Sequence, residues 1–212
     1  MLTTAFLISA FTTLFVVIDP IGLVPMFIIT TQGHKDRAKI ALRACLIAAG
    51  ILTLFGFLGD AILAFVGISM PAFRIAGGIL LFLTALDMLF DRRIQRRDAL
   101  GRENLEVPPD PSVFPLATPL IAGPGAITTM ILLIGQAGNN LTATLTVVGL
   151  MLGVIGLVFL LFLTANRLER ALGRIGTLVV SRLLGMLLAA LAVQFVLDGL
   201  RGAGVFGEGV FG

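Results

Sequence analysis

Between Ala143 and Ala165 the chain passes without one charged side chain. A helix of that length crosses the roughly 30 Å hydrocarbon layer of a bilayer, and so uniform a run has no polar face to turn toward water. Comparable apolar stretches cover about Thr3 to Ile29, Ile40 to Phe57, Phe73 to Phe90, Phe114 to Gly135 and Thr177 to Leu197. Of 212 residues 58% are hydrophobic and 13% charged, too few polar groups to cover a soluble domain of this size. The expected fold is therefore all-α: a polytopic membrane protein of six transmembrane helices. The first run has no basic residue before His34 and continues to Thr31, which predicts a retained helix rather than a processed signal. The segment AILAFVGISM (61–70) is apolar but too short to cross, and reads as an interfacial turn or a re-entrant piece.

Lysine and arginine fall in alternate gaps. Lys35, Arg37, Lys39 and Arg43 mark the first, Arg92, Arg93, Arg96, Arg97 and Arg102 the third, and Arg167, Arg170 and Arg174 the fifth. The second offers only Arg74 at its margin, and the fourth, QAGNN, offers none. The positive-inside rule makes the odd loops cytoplasmic and both chain ends external. The formal net charge of +3 is then a matter of topology, and nucleic acid is not an expected partner. The organisation expected is a first three-helix unit at 1–90, a charged cytoplasmic linker at 91–113, a second three-helix unit at 114–200 and a short external tail at 201–212. The linker reads as a solvated loop, or as a surface for a protein partner or anionic lipid.

The halves repeat one another. VVIDPIGLVPMFIIT in the first answers to TPLIAGPGAITTMILL in the second, with Gly22 falling on Gly125, and RIAGGILLFL from Arg74 answers to RLLGMLLAAL from Arg182. With three crossings per half, the second enters the membrane in the opposite sense, which predicts an inverted repeat whose helix with a break comes first in each unit.

Those breaks carry the expected chemistry. Proline removes an amide donor and opens the preceding turn, and in lipid the freed backbone groups need partners inside the protein or in a cavity. Asp19, Pro20, Gly22 and Pro25 form the first break, and Pro119, Gly123, Pro124 and Gly125 the second. Read together they predict two halves of one central site, suited to a small zwitterion; packing kinks are the alternative. Asp19 is an acid deep in an apolar run, where it lines a site, caps a helix restarting at Pro20, or does both. Thr118, Thr128 and Thr129 either offer hydroxyls to substrate or satisfy them on their own helix. Arg74 and Arg182 begin helices at opposite faces, as gates or as interfacial anchors. Catalytic and metal chemistry is not expected. One histidine and one cysteine, His34 and Cys45, leave no dyad or ligand cluster, and no GxSxG, HExxH or Walker pattern occurs.

DPIGLVPMF at Asp19 to Phe27 and PLIAGPGAITTM at Pro119 to Met130 resemble the MarC family of bacterial integral membrane proteins, over nearly the whole chain. The resemblance implies an inner-membrane protein of two inverted three-helix repeats. It also implies transport of small neutral amino acids coupled to a cation gradient, with no cofactor beyond a coupling proton or sodium ion. The partners it implies are membrane lipid and a small-molecule substrate, with a homo-oligomer left open. Members commonly place a polar residue, often Asn, where this chain has Leu23. A non-transporting membrane scaffold and a drug exporter are the competing expectations.

Overall fold

The computed structural model describes residues 4–90, 110–138 and 140–205, and every element among them is helical. In the first half these are α1 (Thr4–Ile18), α2 (Leu23–Thr30), α3 (Arg37–Val66) and α4 (Met70–Leu89). In the second they are α5 (Ser112–Ile121), α6 (Pro124–Ala137), α7 (Leu141–Leu163) and α8 (Ala165–Gly202). By length and composition five spans qualify to cross a membrane: Thr4–Thr30, α3, α4, α7 and Ile175–Gly202. A sixth is added if α5 and α6, bent by 56° at their junction, count as one.

Local chemistry sets the ends. Ser69 accepts a hydrogen bond from the Ala72 N–H and Pro71 sits in the first turn of α4, while Asn140 accepts from the Ala143 N–H at 3.1 Å to open α7. Gly67, at φ 79°, closes α3 in the left-handed conformation that glycine takes without a steric cost.

Three expectations need correction. The stretch 61–70 is not re-entrant and is a turn only at 67–69: α3 continues through 61–66, and α4 begins at Met70. The fifth loop does not exist as a loop, since α8 begins at Ala165, directly after Thr164 ends α7, and breaks only at Gly173, where φ is 61°. Arg74 and Arg182 do not begin helices; Arg74 lies a turn inside α4 and Arg182 well inside α8. The arginines of the third gap lie outside the described residues.

Lipid supplies no hydrophobic drive between helices, so close approach at small residues holds the bundle together. Gly56 and Gly59 of α3 meet Met130, Ile131 and Ile134 of α6, and Gly77 of α4 meets the Thr128 methyl. α4 and α8 pack antiparallel, with Gly78 against Ala192 and Val196, Gly185 against Ala85 and Met88, and Gly199 against Pro71 and Ile75. Phe27 and Phe162 stack with ring centroids 4.2 Å apart, joining α2 to α7.

One end of the bundle is basic. Arg37 donates to the Thr31 carbonyl at 3.1 Å and to Asn166 Oδ1 at 3.4 Å, which brings the first and fifth gaps to the same end. Arg43 pairs with Asp110 at 2.7 Å, joining α3 to the start of the second half. The Ser112 hydroxyl and its backbone N–H, and with them Arg43, hold the Asp110 carboxyl below the ordinary carboxylate range. A lowered folded-state pKa gives stabilisation that is complete above the unfolded value and fades as pH falls through the folded one. Both partners are largely in solvent, so the pair contributes at most about 1 kcal/mol. Arg43→Ala is expected to lower the melting temperature slightly at neutral pH, with the difference from wild type fading as pH falls below the ordinary carboxylate range. A melting series across pH checks this, and a difference that persists in acid would assign Arg43 another role.

Candidate functional site

The first break is built around Asp19. α1 ends at Ile18, and Asp19 adopts φ 55°, a left-handed conformation that Asp tolerates better than most residues. Residues 20–22 form a turn, and α2 starts at Leu23 rather than at Pro20 as expected. The Asp19 carboxylate folds back over that turn and accepts the Gly22 N–H at 3.0 Å. Asp19 thus closes the turn that leads into α2 rather than capping a helix at Pro20; the N-cap of α2 is Gly22, and Asp19 is 1% exposed. Leu23, which follows directly, is wholly buried.

Gly22 is required for space and not for backbone freedom. Its φ of −68° suits any residue, but a Cβ there would run into the Asp19 carboxylate. Gly22→Ala is expected to cost about 1–3 kcal/mol by overpacking. Thermal unfolding in detergent would show it, beside Gly153→Ala, where a Cβ meets nothing within 4 Å. Equal melting temperatures for the two variants would mean that the carboxylate moves aside freely.

The second break is built differently. α5 carries the wider i→i+5 bonding of a π-helix, from Leu116 N–H to the Pro111 carbonyl and from Ala122 N–H to the Ala117 carbonyl. Its backbone leaves helical geometry at Phe114 and Thr118, and the Phe114–Pro115 and Thr118–Pro119 peptide bonds are cis. Gly123 then caps α6, with Pro124 in its first turn. A Cβ on Gly123 would lie 2.6 Å from the Pro119 carbonyl oxygen. In both breaks, then, the place of a missing glycine side chain is taken by an oxygen from three or four residues earlier, a carboxylate at Asp19 and a carbonyl at Pro119.

The second break reaches the helix that leads into the first. A Cβ on Gly125 would sit 3.4 Å from Val17 Cγ1, two residues before Asp19, and 3.2 Å from Leu81 Cδ2, with Thr84 Oγ1 at 4.0 Å. Sequence reasoning missed Val17, Leu81 and Thr84, since nothing in an apolar helix marks the residue that meets a break elsewhere in the chain. Not every expected residue joins this contact. Pro20 and Gly22 are buried and Pro25 half-buried, whereas Thr118, Pro119 and Pro124 are exposed. Arg182 is exposed, and Arg74 keeps a buried Nε without a hydrogen-bond partner.

The threonines separate clearly. Thr13, Thr30, Thr31, Thr84, Thr146, Thr164 and Thr177 each donate their hydroxyl to the carbonyl four residues earlier. Thr129 is fully buried, and its Oγ1 has no partner. A buried, unpaired hydroxyl costs about 1–3 kcal/mol, so one placed a turn after a break asks for a reason. Thr128 instead turns its methyl to Gly77. None of the break residues lines the cavity of about 580 Å3 at the basic end, which is bounded by His34, Lys35, Asp36, Lys39, Ile40, Leu42, Arg43 and Asp110.

A family model described as MarC family integral membrane protein matches residues 4–204. A UPF0056 membrane protein of Archaeoglobus fulgidus is 43% identical over 201 residues, 92% of each chain. Another from Methanocaldococcus jannaschii is 37% identical over 203 residues, 93% of this chain and 97% of its own. The UPF0056 inner membrane protein YhgN of Escherichia coli K12 is 35% identical over 198 residues, 92% of this chain and 96% of its own. No solved structure matches.

Proposed function

Since the chain belongs to the MarC family of integral membrane proteins, we propose that it is a secondary transporter of small neutral amino acids or similarly small metabolites. It works by alternating access between two inverted three-helix repeats and is driven by a proton or sodium gradient. The observation that carries this reading is a buried carboxylate, Asp19, at the end of α1, the helix on which Gly125 of the second break packs through Val17. An acid inside a membrane bundle is costly and characteristically handles an ion or a proton. The unpaired Thr129 hydroxyl supplies a hydrogen-bond donor and acceptor for a polar solute in the same bundle interior.

The α4–α8 contacts support the repeat. Gly78 of α4 packs on Val196 of α8, while Gly185 of α8 packs on Met88 of α4. A shift of about 107 residues carries each pair onto the other, as a two-fold axis in the membrane plane requires. The shared basic end of α3 and α8 is taken as cytoplasmic, with both termini external. The inner membrane is the expected location, matching the name of the Escherichia coli relative.

Asp19 is closed off from solvent in this conformation, so transport requires the halves to move apart at the breaks. The same dry packing favours a second reading, a non-transporting scaffold. Uptake and counterflow of labelled glycine and alanine in proteoliposomes, under imposed proton and sodium gradients, decide between them. Gradient-accelerated flux is the expected result. Absence of flux for both amino acids from folded protein would remove this substrate class and favour the scaffold.

A further inference from the structure

The cavity at the basic end has no part in the site described above. Its walls combine Lys35, Lys39, Arg43 and His34 with two carboxylates, Asp36 and Asp110, and two apolar side chains, Ile40 and Leu42. Lys39 pairs with Asp36 at 3.3 Å and Arg43 with Asp110 at 2.7 Å. Lys35 is paired with none of the described residues. Among the described residues, three cations against two carboxylates leave one positive charge uncompensated, and the first turn of the 30-residue helix α3 adds the positive end of its dipole. The apolar wall continues out of the cavity along α3, where Leu42, Leu46, Leu54, Phe57 and Leu58 are exposed as a membrane-facing stripe.

We infer that this cavity seats the headgroup phosphate of an anionic phospholipid, whose acyl chains lie along the exposed stripe of α3. A phosphodiester carries a single negative charge, which matches the one uncompensated cation, and it comes attached to the apolar body that Leu42 and the stripe below it call for. Free inorganic phosphate carries more charge and offers nothing to Ile40 or Leu42. The two ion pairs flank the seat, and Lys35 with His34 supplies the donors free to close on the phosphate.

The test is native mass spectrometry of the full chain in detergent, titrated with phosphatidylglycerol or phosphatidylcholine of identical acyl chains. Wild type is expected to retain phosphatidylglycerol in preference, and Lys35→Ala to lower that preference about fivefold. Lys35→Arg keeps the charge and is expected to keep the preference, as is Arg170→Ala, which removes an exposed cation that does not line the cavity. Inorganic phosphate is expected not to displace the lipid. Equal retention of the two lipids, or an unchanged preference in Lys35→Ala, would overturn the inference. Equal losses in Lys35→Ala and Arg170→Ala would replace it with diffuse surface attraction, and displacement by inorganic phosphate would make this a site for a soluble anion.

Discussion

Asp19→Asn is expected to fold and to lose gradient-driven uptake, whereas Asp19→Ala is expected to lose much of the fold as well. Asparagine keeps an oxygen to accept the Gly22 N–H at the 3.0 Å now seen, and it tolerates the φ of 55°. What it removes is the ionisable group. Alanine removes that acceptor too, at a cost of about 0.5–1.5 kcal/mol for the hydrogen bond. Its left-handed backbone adds about 1–2 kcal/mol. Comparing the two variants in melting and in proteoliposome flux separates turn closure from coupling. If Asp19→Asn responds to the imposed gradient as wild type does, the carboxylate only closes the turn and the coupling group lies elsewhere.

The other large effect is expected where α4 crosses α8. A Cβ on Gly78 would lie 2.8 Å from the Ala192 carbonyl oxygen and 3.0 Å from the Val196 nitrogen; one on Gly199 would lie 2.9 Å from the Pro71 carbonyl and 3.0 Å from the Ile75 nitrogen. These obstacles are backbone atoms, which yield only if the helices separate. Gly78→Leu and Gly199→Leu are each expected to cost about 3 kcal/mol. They press on different turns, so the double variant should lose about 6 kcal/mol, comparable with the whole stability of many domains. It is expected not to be recovered as a monodisperse protein by size-exclusion chromatography. Gly153→Leu, on an open face of α7, should behave as wild type. Single variants that melt with wild type would show that this crossing is loose.

Much of this architecture is legible in the residues because lipid makes the pattern simple. A long apolar run is a crossing, and clustered proline and glycine mark where one is interrupted. Both breaks lie where DPIG and AGPG predict. Reading fails where the cue is a three-dimensional neighbour. The second apolar run reads as ending near Phe57, yet α3 runs on to Val66, with Gly59 packed on Ile131 of α6 along the way. Arg167 and Arg170 look like a loop, yet they ride on the first turns of α8. Glycine at 22 reads as a helix breaker, while its visible reason is the carboxylate that fills its side-chain space. The three threonines around the second break look alike in sequence, and only their packing singles out Thr129.

The continuous α3 has a further effect on its surroundings. From Ala44, just past the solvent-exposed Arg43, to Val66 it runs about 35 Å along the axis with Asp60 its one charge, against a hydrocarbon thickness near 30 Å. A rod that long must lean or draw the bilayer thicker around itself, and Phe65 at its far end, 91% exposed, has only lipid or the interface to meet. α3 also carries α6 on its small-residue face, so the lean of one rod is passed to the helix that follows the second break. Acyl-chain length is thereby expected to set the tilt of α3, thin membranes tipping it over and thick ones standing it upright.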